Sequence, residues 1–110
     1  MDADRTIIKV DLTEAELSSW FIENKLFIVG EILSASEYML LNGLDIVDTF
    51  ILRVTHQFGR TILNAKIKRV ELIERLPDLM KWTISVEEYE MSHRIKLLMG
   101  RLENEKTDIY

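Results

Sequence analysis

The chain has no cysteine and only one proline in 110 residues. Without cysteine it can have no disulfide framework, no cysteine nucleophile and no thiolate zinc site, which fits an intracellular place of synthesis. No N-terminal segment combines a basic start with an apolar run, and no apolar run approaches the ~20 residues that a bilayer requires. We therefore expect a cytoplasmic protein with no membrane partner.

Groups that carry catalysis are also scarce, since the chain has only two histidines. His56 falls near the tip of a predicted hairpin and His93 in a charged helix, so both are expected to be ordinary surface residues. Glu87, Glu88 and Glu90 lack the spacing of a calcium loop and fit the solvated start of a helix. No phosphate-binding glycine loop or dinucleotide fingerprint occurs. We expect no enzyme, cofactor, metal site or small-molecule substrate.

The charge of the chain is negative overall but unevenly distributed. The formal net charge is −5, which argues against a general nucleic-acid binder. Residues 49–70 carry five bases and no acid, whereas the segments before and after them are acidic. A solvated strand face explains this basic region, and so does a surface for an acidic partner.

The best-defined local pattern lies in residues 31–54. Ser34 and Glu37 stand in the spacing of a capping box, and Asn42-Gly43 is a typical helix end. The helix between them, about 35–42, is too short to be stable alone. Extended-looking runs at 26–33 and 49–57 flank it. The sequence therefore predicts a strand, a short helix and another strand.

The N-terminal quarter of the chain allows two interpretations. A short strand is predicted at residues 6–11 in both. In the first, Thr13 and Glu16 form a second capping box that opens a helix at 14–24. In the second, residues 20–33 form one long strand. The pattern does not decide between them.

The basic region predicts a β-hairpin. Gly59 at the first central position of a two-residue turn places Val54 opposite Ala65 and Arg53 opposite Lys66. The pair of like charges costs about 0.2–1 kcal/mol. An acidic neighbour would relieve that repulsion.

A second hairpin is predicted downstream, with one open alternative. Residues 65–75 would form a strand that leads into a turn at Leu76-Pro77-Asp78, and residues 80–86 alternate as a half-buried strand does. Alternatively, residues 61–76 form a helix that ends before the proline. The tail at 87–105 is helical in pattern. Its apolar stripe either packs in the core or docks on a neighbouring subunit, and it comprises Met91, Ile95, Leu98 and Leu102.

Together these elements predict a mainly β fold. It would be a small barrel or sandwich of about five to six strands, with the short helix inserted in a connection and a helical C-terminal tail. The chain would be one domain, with an arm or helix at 1–25, a barrel core at 26–88 and the tail at 89–110. An all-α or α+β fold is the alternative.

Seven positions between residues 29 and 54 shape the short helix and the strand after it, and weaker matches follow at 67–69 and 83–87. These seven are Ser34, Glu37, Tyr38, Gly43, Leu44, Phe50 and Val54. In this arrangement the chain resembles the head closure proteins, also called stopper or head-to-tail connector proteins, of long-tailed bacteriophages. None of the positions is chemically specific, because each is a cap, a turn or a core position.

The resemblance implies a structural virion protein assembled in the host cytoplasm. Many copies would form a ring below the portal and adaptor, close the DNA-filled head and receive the tail, with at most passing contact with DNA. Two features depart from the family. The N-terminal region looks more helical than the expected hairpin arm, and the tail from Met91 onward looks longer.

A second function from another class is a small acidic regulatory or inhibitory protein-binding module of phage or bacterial origin. It would add its exposed strand to a partner or offer the tail helix to a groove. A third, nucleic-acid binding by the basic hairpin, predicts an affinity that falls steeply with salt. The candidate subunit or partner contacts are Arg53, His56, Arg60, Lys66, Lys68, Met91, Ile95, Leu98 and Leu102.

Overall fold

The structure is a computed structural model that describes the backbone of residues 6–108 and the side chains of residues 6–105. Strand β1 (Ile8–Thr13) and a 3₁₀ turn (Glu14–Glu16) precede helices α1 (Leu17–Glu23) and α2 (Lys25–Asn42). Strands β2 (Ile46–His56) and β3 (Gly59–Lys68) follow, and then helices α3 (Arg69–Ser85) and α4 (Tyr89–Asp108).

The prediction of a barrel or sandwich is wrong, and the architecture is the α+β alternative. The described sheet has three strands in the order β1–β2–β3, with β1 parallel and β3 antiparallel to β2. A barrel requires the two edge strands to pair with each other. Here the edges stay apart, because the segments predicted as further strands are helices.

Helix α2 explains the first error. Residues 26–33 were predicted as a strand, but they form the first half of α2, in which no residue from 27 to 40 is exposed. A helix packed on all sides carries apolar residues all round, so the one-sided periodicity of a surface helix is missing. Ser34 and Glu37 consequently lie inside α2, and the capping box predicted from them is wrong.

The predicted end of this helix is confirmed. Gly43 is left-handed with φ of +62°, and the N–H of Leu44 donates a 3.0 Å hydrogen bond to the carbonyl of Met39. This six-residue closure is a Schellman motif. It turns the chain from α2 into β2.

Helix α3 ends in the same motif without a glycine. Glu87 has a φ of +62°, its N–H donates to the carbonyl of Ile84, and the N–H of Glu88 donates to that of Thr83 at 2.8 Å. A left-handed backbone costs an L-residue about 1–2 kcal/mol because its Cβ crowds the carbonyl oxygen. This loop therefore holds a strained residue.

The variant Glu87→Gly should raise the free energy of unfolding by about 1 kcal/mol, because glycine adopts this conformation without strain. Gly43→Ala should lower it by a similar amount. Urea denaturation of both variants measures the two changes. A loss of stability in Glu87→Gly would contradict the conclusion that the backbone of Glu87 is strained.

Helix α3 replaces the predicted second hairpin, and the strand–turn–strand prediction is wrong beyond Lys68. The alternative of a helix before Pro77 is closer, but α3 continues through the proline to Ser85. Pro77 removes one backbone donor, which leaves the carbonyl of Ile73 without its helical partner. Both residues are exposed, so water can bind that carbonyl.

The apolar residues that alternate in 80–86 lie on different sides of α3. Met80 and Ile84 lie on one side, four residues apart. Trp82 lies on another side, where the Nζ of Lys25 stands 4.9 Å from its ring centroid. The alternation is therefore not that of a strand with one buried face.

The first hairpin is present, but in another register. Gln57 and Phe58 form the turn, and Val54 pairs with Thr61 instead of Ala65. Arg53 pairs with Ile62, so the predicted pair with Lys66 does not form. The shift spans an even number of residues, so each side chain keeps its predicted face.

The helices cover one face of the sheet. Leu12, Phe50, Leu52 and Val54 form a buried cluster under Trp20 of α1. A larger cluster joins α2, α3 and α4 to Val47 near the start of β2 and to Ile67 near the end of β3. Among the described helices, none combines the length and apolar character that crossing a membrane requires.

Near the two ends of the chain, the predicted first strand and the predicted tail helix are present, and the choice that the sequence left open is resolved. Strand β1 is present, and the N-terminal choice is resolved in favour of a helix after residue 13. The second capping box is confirmed, since the N–H of Thr13 donates a 2.9 Å hydrogen bond to Glu16 Oε1. That bond lowers the pKa of Glu16 below its ordinary value of 4.5. Helix α4 occupies the predicted tail.

Candidate functional site

The face of the sheet opposite the helices carries a cluster of bases. Its outward positions on the three strands are exposed or half-buried. The bases are Lys9, Arg53, Arg60, Lys66 and Lys68, against two acids, Asp11 and Asp48. An acidic chain therefore presents one basic face, which we call the outer sheet face.

Two of these bases are neutralised within the chain. Arg53 Nε lies 2.7 Å from Asp11 Oδ1, and Lys66 Nζ lies 3.1 Å from Asp48 Oδ1. The acidic neighbours expected beside Arg53 and Lys66 are thus supplied by β1 and β2. Lys9, Arg60 and Lys68 make no ion pair among the residues described, so they can meet acids from another molecule.

Strand β3 is an edge strand in the described sheet. It has ten residues and pairs only with β2, so every second N–H and C=O group along its other side lacks a strand partner. Eight of the ten residues are exposed. All three of its charged side chains are basic. Such an edge can accept another strand.

An apolar groove of about 310 Å³ runs beside β3, between it and helices α2 and α3. Charged residues from α3 stand at its border, among them Glu71, Arg75 and Asp78. The apolar lining comes from all four elements around the groove and comprises Ile28, Ile32, Phe50, Ala65, Ile67 and Leu79. The groove can therefore receive apolar side chains from a segment that pairs with β3.

The predicted basic contacts have different surroundings. Arg60 and Lys68 lie exposed on β3, while Arg53 and Lys66 are engaged in the ion pairs above. His56 is the last residue of β2, with Nδ1 accepting a 3.2 Å hydrogen bond from the N–H of Phe58 and Nε2 at 2.9 Å from a threonine hydroxyl. Its ring organises the hairpin turn.

The predicted contacts of the tail lie inside the chain. Ile95, Leu98 and Leu102 are buried between α4 and its neighbours, and Met91 packs against the same cluster near Gly30. Of the two interpretations of this stripe, the structure shows core packing. These side chains have almost no surface to offer a partner.

The positions that carried the family resemblance are structural. Arg94 of α4 donates hydrogen bonds of 3.0 and 2.6 Å to the two carboxylate oxygens of Glu37, and it lies 3.5 Å from the hydroxyl of Ser34. The bond to Glu37 raises the pKa of the arginine further above its ordinary range. Tyr38 packs beside the core, and Phe50 and Val54 are buried on β2.

The groove was not predicted from the sequence, because its walls are helices where strands were predicted. Ile28 and Ile32 from α2 meet Leu79 from α3 only through the tertiary fold. No local pattern joins residues so distant in the chain. Among residues 6–105, no three histidine, aspartate or glutamate side chains lie close enough to hold a metal ion.

The candidate site is thus an exposed edge strand, a basic outer sheet face and an apolar groove. Comparison of the chain with protein-family profiles, with curated proteins and with solved structures finds no match. The resemblance to head closure proteins therefore stays a prediction, and the geometry of β3 and its groove is the basis for assigning a function.

Proposed function

We propose that the protein is a non-enzymatic binding module that captures an extended segment of a partner protein as a fourth strand along β3. The observation that carries this proposal is the exposed ten-residue edge of β3 beside an apolar groove. In strand addition, main-chain hydrogen bonds supply affinity, and pockets for alternate side chains supply specificity.

The two faces of the sheet define the partner's chemistry. Side chains of an added strand alternate between the two faces. Those on the inner side would enter the groove next to Ala65 and Ile67, where apolar groups are favoured. Those on the outer side would lie beside Arg60 and Lys68, where carboxylates are favoured. The partner segment therefore alternates apolar and acidic residues.

A protein partner is favoured over a nucleic acid. The net charge of the chain is −5, and the three bases of the outer sheet face that make no ion pair among the described residues are spread over two strands. Nucleic-acid surfaces gather bases along one phosphate path. An apolar groove also contributes nothing to the binding of a phosphate backbone. The ring at a phage head-to-tail connector is a separate prediction, and the open sheet lacks the barrel it implies.

A ten-residue peptide of alternating valine and glutamate provides the probe. Titrated into ¹⁵N-labelled protein, it should shift the amide resonances of β3 and of the groove residues. The double variant Arg60→Glu with Lys68→Glu should weaken binding about fivefold to tenfold, because two attractions become repulsions. The matched control Lys9→Glu, on the same face at the opposite edge, should change the affinity by less than about twofold.

Two isomeric peptides test the strand pairing itself. One carries N-methyl groups on its odd-numbered nitrogens and the other on its even-numbered nitrogens. Only one set of N–H groups faces β3 in an added strand, so one isomer should lose binding and the other should keep it. Equal binding of both isomers would refute strand addition. Preferential binding of a DNA duplex, with affinity falling steeply in salt, would indicate a nucleic-acid surface instead.

A further inference from the structure

Helix α3 has two apolar faces, and the described residues cover only one of them. Leu72, Leu76 and Thr83 are fully buried against the other helices. A second row follows at intervals of three and four residues, the spacing of a helix that packs against another helix. We call it the outer stripe, and it comprises Val70, Ile73, Pro77, Met80 and Ile84.

The outer stripe is open to solvent along most of its length. Val70 is 81% exposed, and Ile73 and Ile84 are each 51% exposed. It borders α4, where a hollow of about 140 Å³ is lined by Ile73 and Met99, among others. The β3 groove is lined by other α3 residues, including Glu71 and Arg75. The outer stripe is therefore a separate surface.

The charges beside the stripe make it complementary to itself. Glu74 and Lys81 are exposed on the same side of α3, and neither has an ion-pair partner among the residues described. Pro77 lies between them, near the middle of the stripe. When two copies of α3 pack antiparallel with Pro77 at the two-fold axis, Glu74 of each copy lies beside Lys81 of the other. Val70 then lies beside Ile84 at both ends.

The accessible surface and the radius of gyration of the chain are both larger than those of a compact monomer, as expected of a subunit that packs against a second copy. The accessible surface is 7662 Å², against about 6300 Å² expected for a compact monomer of this mass. The radius of gyration is 15.6 Å, against about 13 Å for a compact chain of this length. A stable interface takes about 800 Å² from each partner. The excess, taken over the whole chain, is larger than that area, and the exposed residues of the outer stripe contribute part of it.

We infer that the protein forms a two-fold symmetric dimer by antiparallel packing of α3 on α3 around Pro77. The occupant of the outer stripe is a second copy of this chain. This inference does not depend on the function proposed for β3, because different surfaces carry the two.

Charge exchange tests the dimer directly. Glu74→Lys and Lys81→Glu should each raise the dimer dissociation constant about tenfold, measured by sedimentation equilibrium, because two attractions become repulsions. An equimolar mixture of these two variants should associate about as tightly as the native chain, since every glutamate again meets a lysine. The double variant Glu74→Lys with Lys81→Glu should dimerise about as tightly as the native chain for the same reason.

Arg75→Glu is the matched control, because it makes the same charge change as Lys81→Glu on the groove side of α3. It should leave the dissociation constant unchanged. Circular dichroism of each variant checks that the fold is intact. A native chain that stays monomeric up to about 1 mM would overturn the inference. So would a mixture that associates no better than its separate components.

Discussion

Replacing Leu33 by alanine is expected to lower the free energy of unfolding by about 2–5 kcal/mol. Leu33 is 0% exposed near the middle of α2, in the cluster that joins α2 to α3 and α4. Truncation there removes buried methyl groups and leaves a cavity that packed neighbours on several sides cannot fill. A domain of this size has a total stability of about 5–15 kcal/mol, so the variant approaches unfolding.

Leu41→Ala is the matched control for this prediction. Leu41 belongs to the same helix but is 77% exposed, so its truncation should change the stability by less than about 0.5 kcal/mol. Urea denaturation of both variants measures the difference. Similar losses of stability in Leu33→Ala and Leu41→Ala would mean that α2 is not the central helix of the fold.

Replacing Trp20 by alanine is expected to cost about 3 kcal/mol and to release α1 from the sheet. None of the residues of α1 is fully buried, and the Trp20 ring packs against the core together with the smaller side chain of Leu17. The ring centroid lies 5.8 Å from that of Phe50 and 6.1 Å from that of Phe27. Aromatic pairs at such distances add to the energy of burial.

Hydrogen exchange followed by mass spectrometry separates local release from global unfolding. In Trp20→Ala the amides of residues 17–23 should exchange much faster than those of α4, because α1 alone is too short to stay helical. Ile22→Ala is the control on the same helix, since Ile22 is 80% exposed and should have little effect. If the amides of all elements exchanged faster by a similar factor, the result would contradict a role for Trp20 as a local anchor of α1.

The elements that the sequence predicts correctly have local signals. Thr13 and Glu16 lie three residues apart, and their capping box forms as the spacing indicates. Gly43 ends α2 because glycine accepts the left-handed conformation without strain. The faces of β2 from Phe50 onward follow from simple alternation, whereas the bulge between Asp48 and Phe50 leaves Thr49 and Phe50 both buried. Each of these signals lies within a few residues of the structure it specifies.

The elements that the sequence predicts wrongly depend on tertiary partners. Helix α2 is surrounded by the sheet and two helices, so its apolar residues show no helical period. The proline of α3 breaks a helix in most settings, but here it lies on an exposed side where one lost backbone bond can be hydrated. The apparent capping box at Ser34 and Glu37 serves Arg94, which comes about sixty residues later.

The candidate site was predictable only in part. The basic character of β3 follows from composition, and Arg60 and Lys68 are exposed there as expected. The apolar groove depends on helices that the sequence pattern did not predict. Local patterns therefore identified the charge of the surface but not its shape.

The parallel pairing of β1 with β2 has a consequence for synthesis of the chain. Asp11 and its partner Arg53 are 42 residues apart, so β1 leaves the ribosome well before the strand that it pairs with. At about 5–20 residues per second, that delay is roughly 2–8 s. Helix α2, with 18 residues, can form transiently in that interval, because a helix needs only local bonds, whereas α1 is too short to persist before the sheet is present. Strand β1 must therefore remain unpaired until β2 emerges, and the sheet closes only late in synthesis.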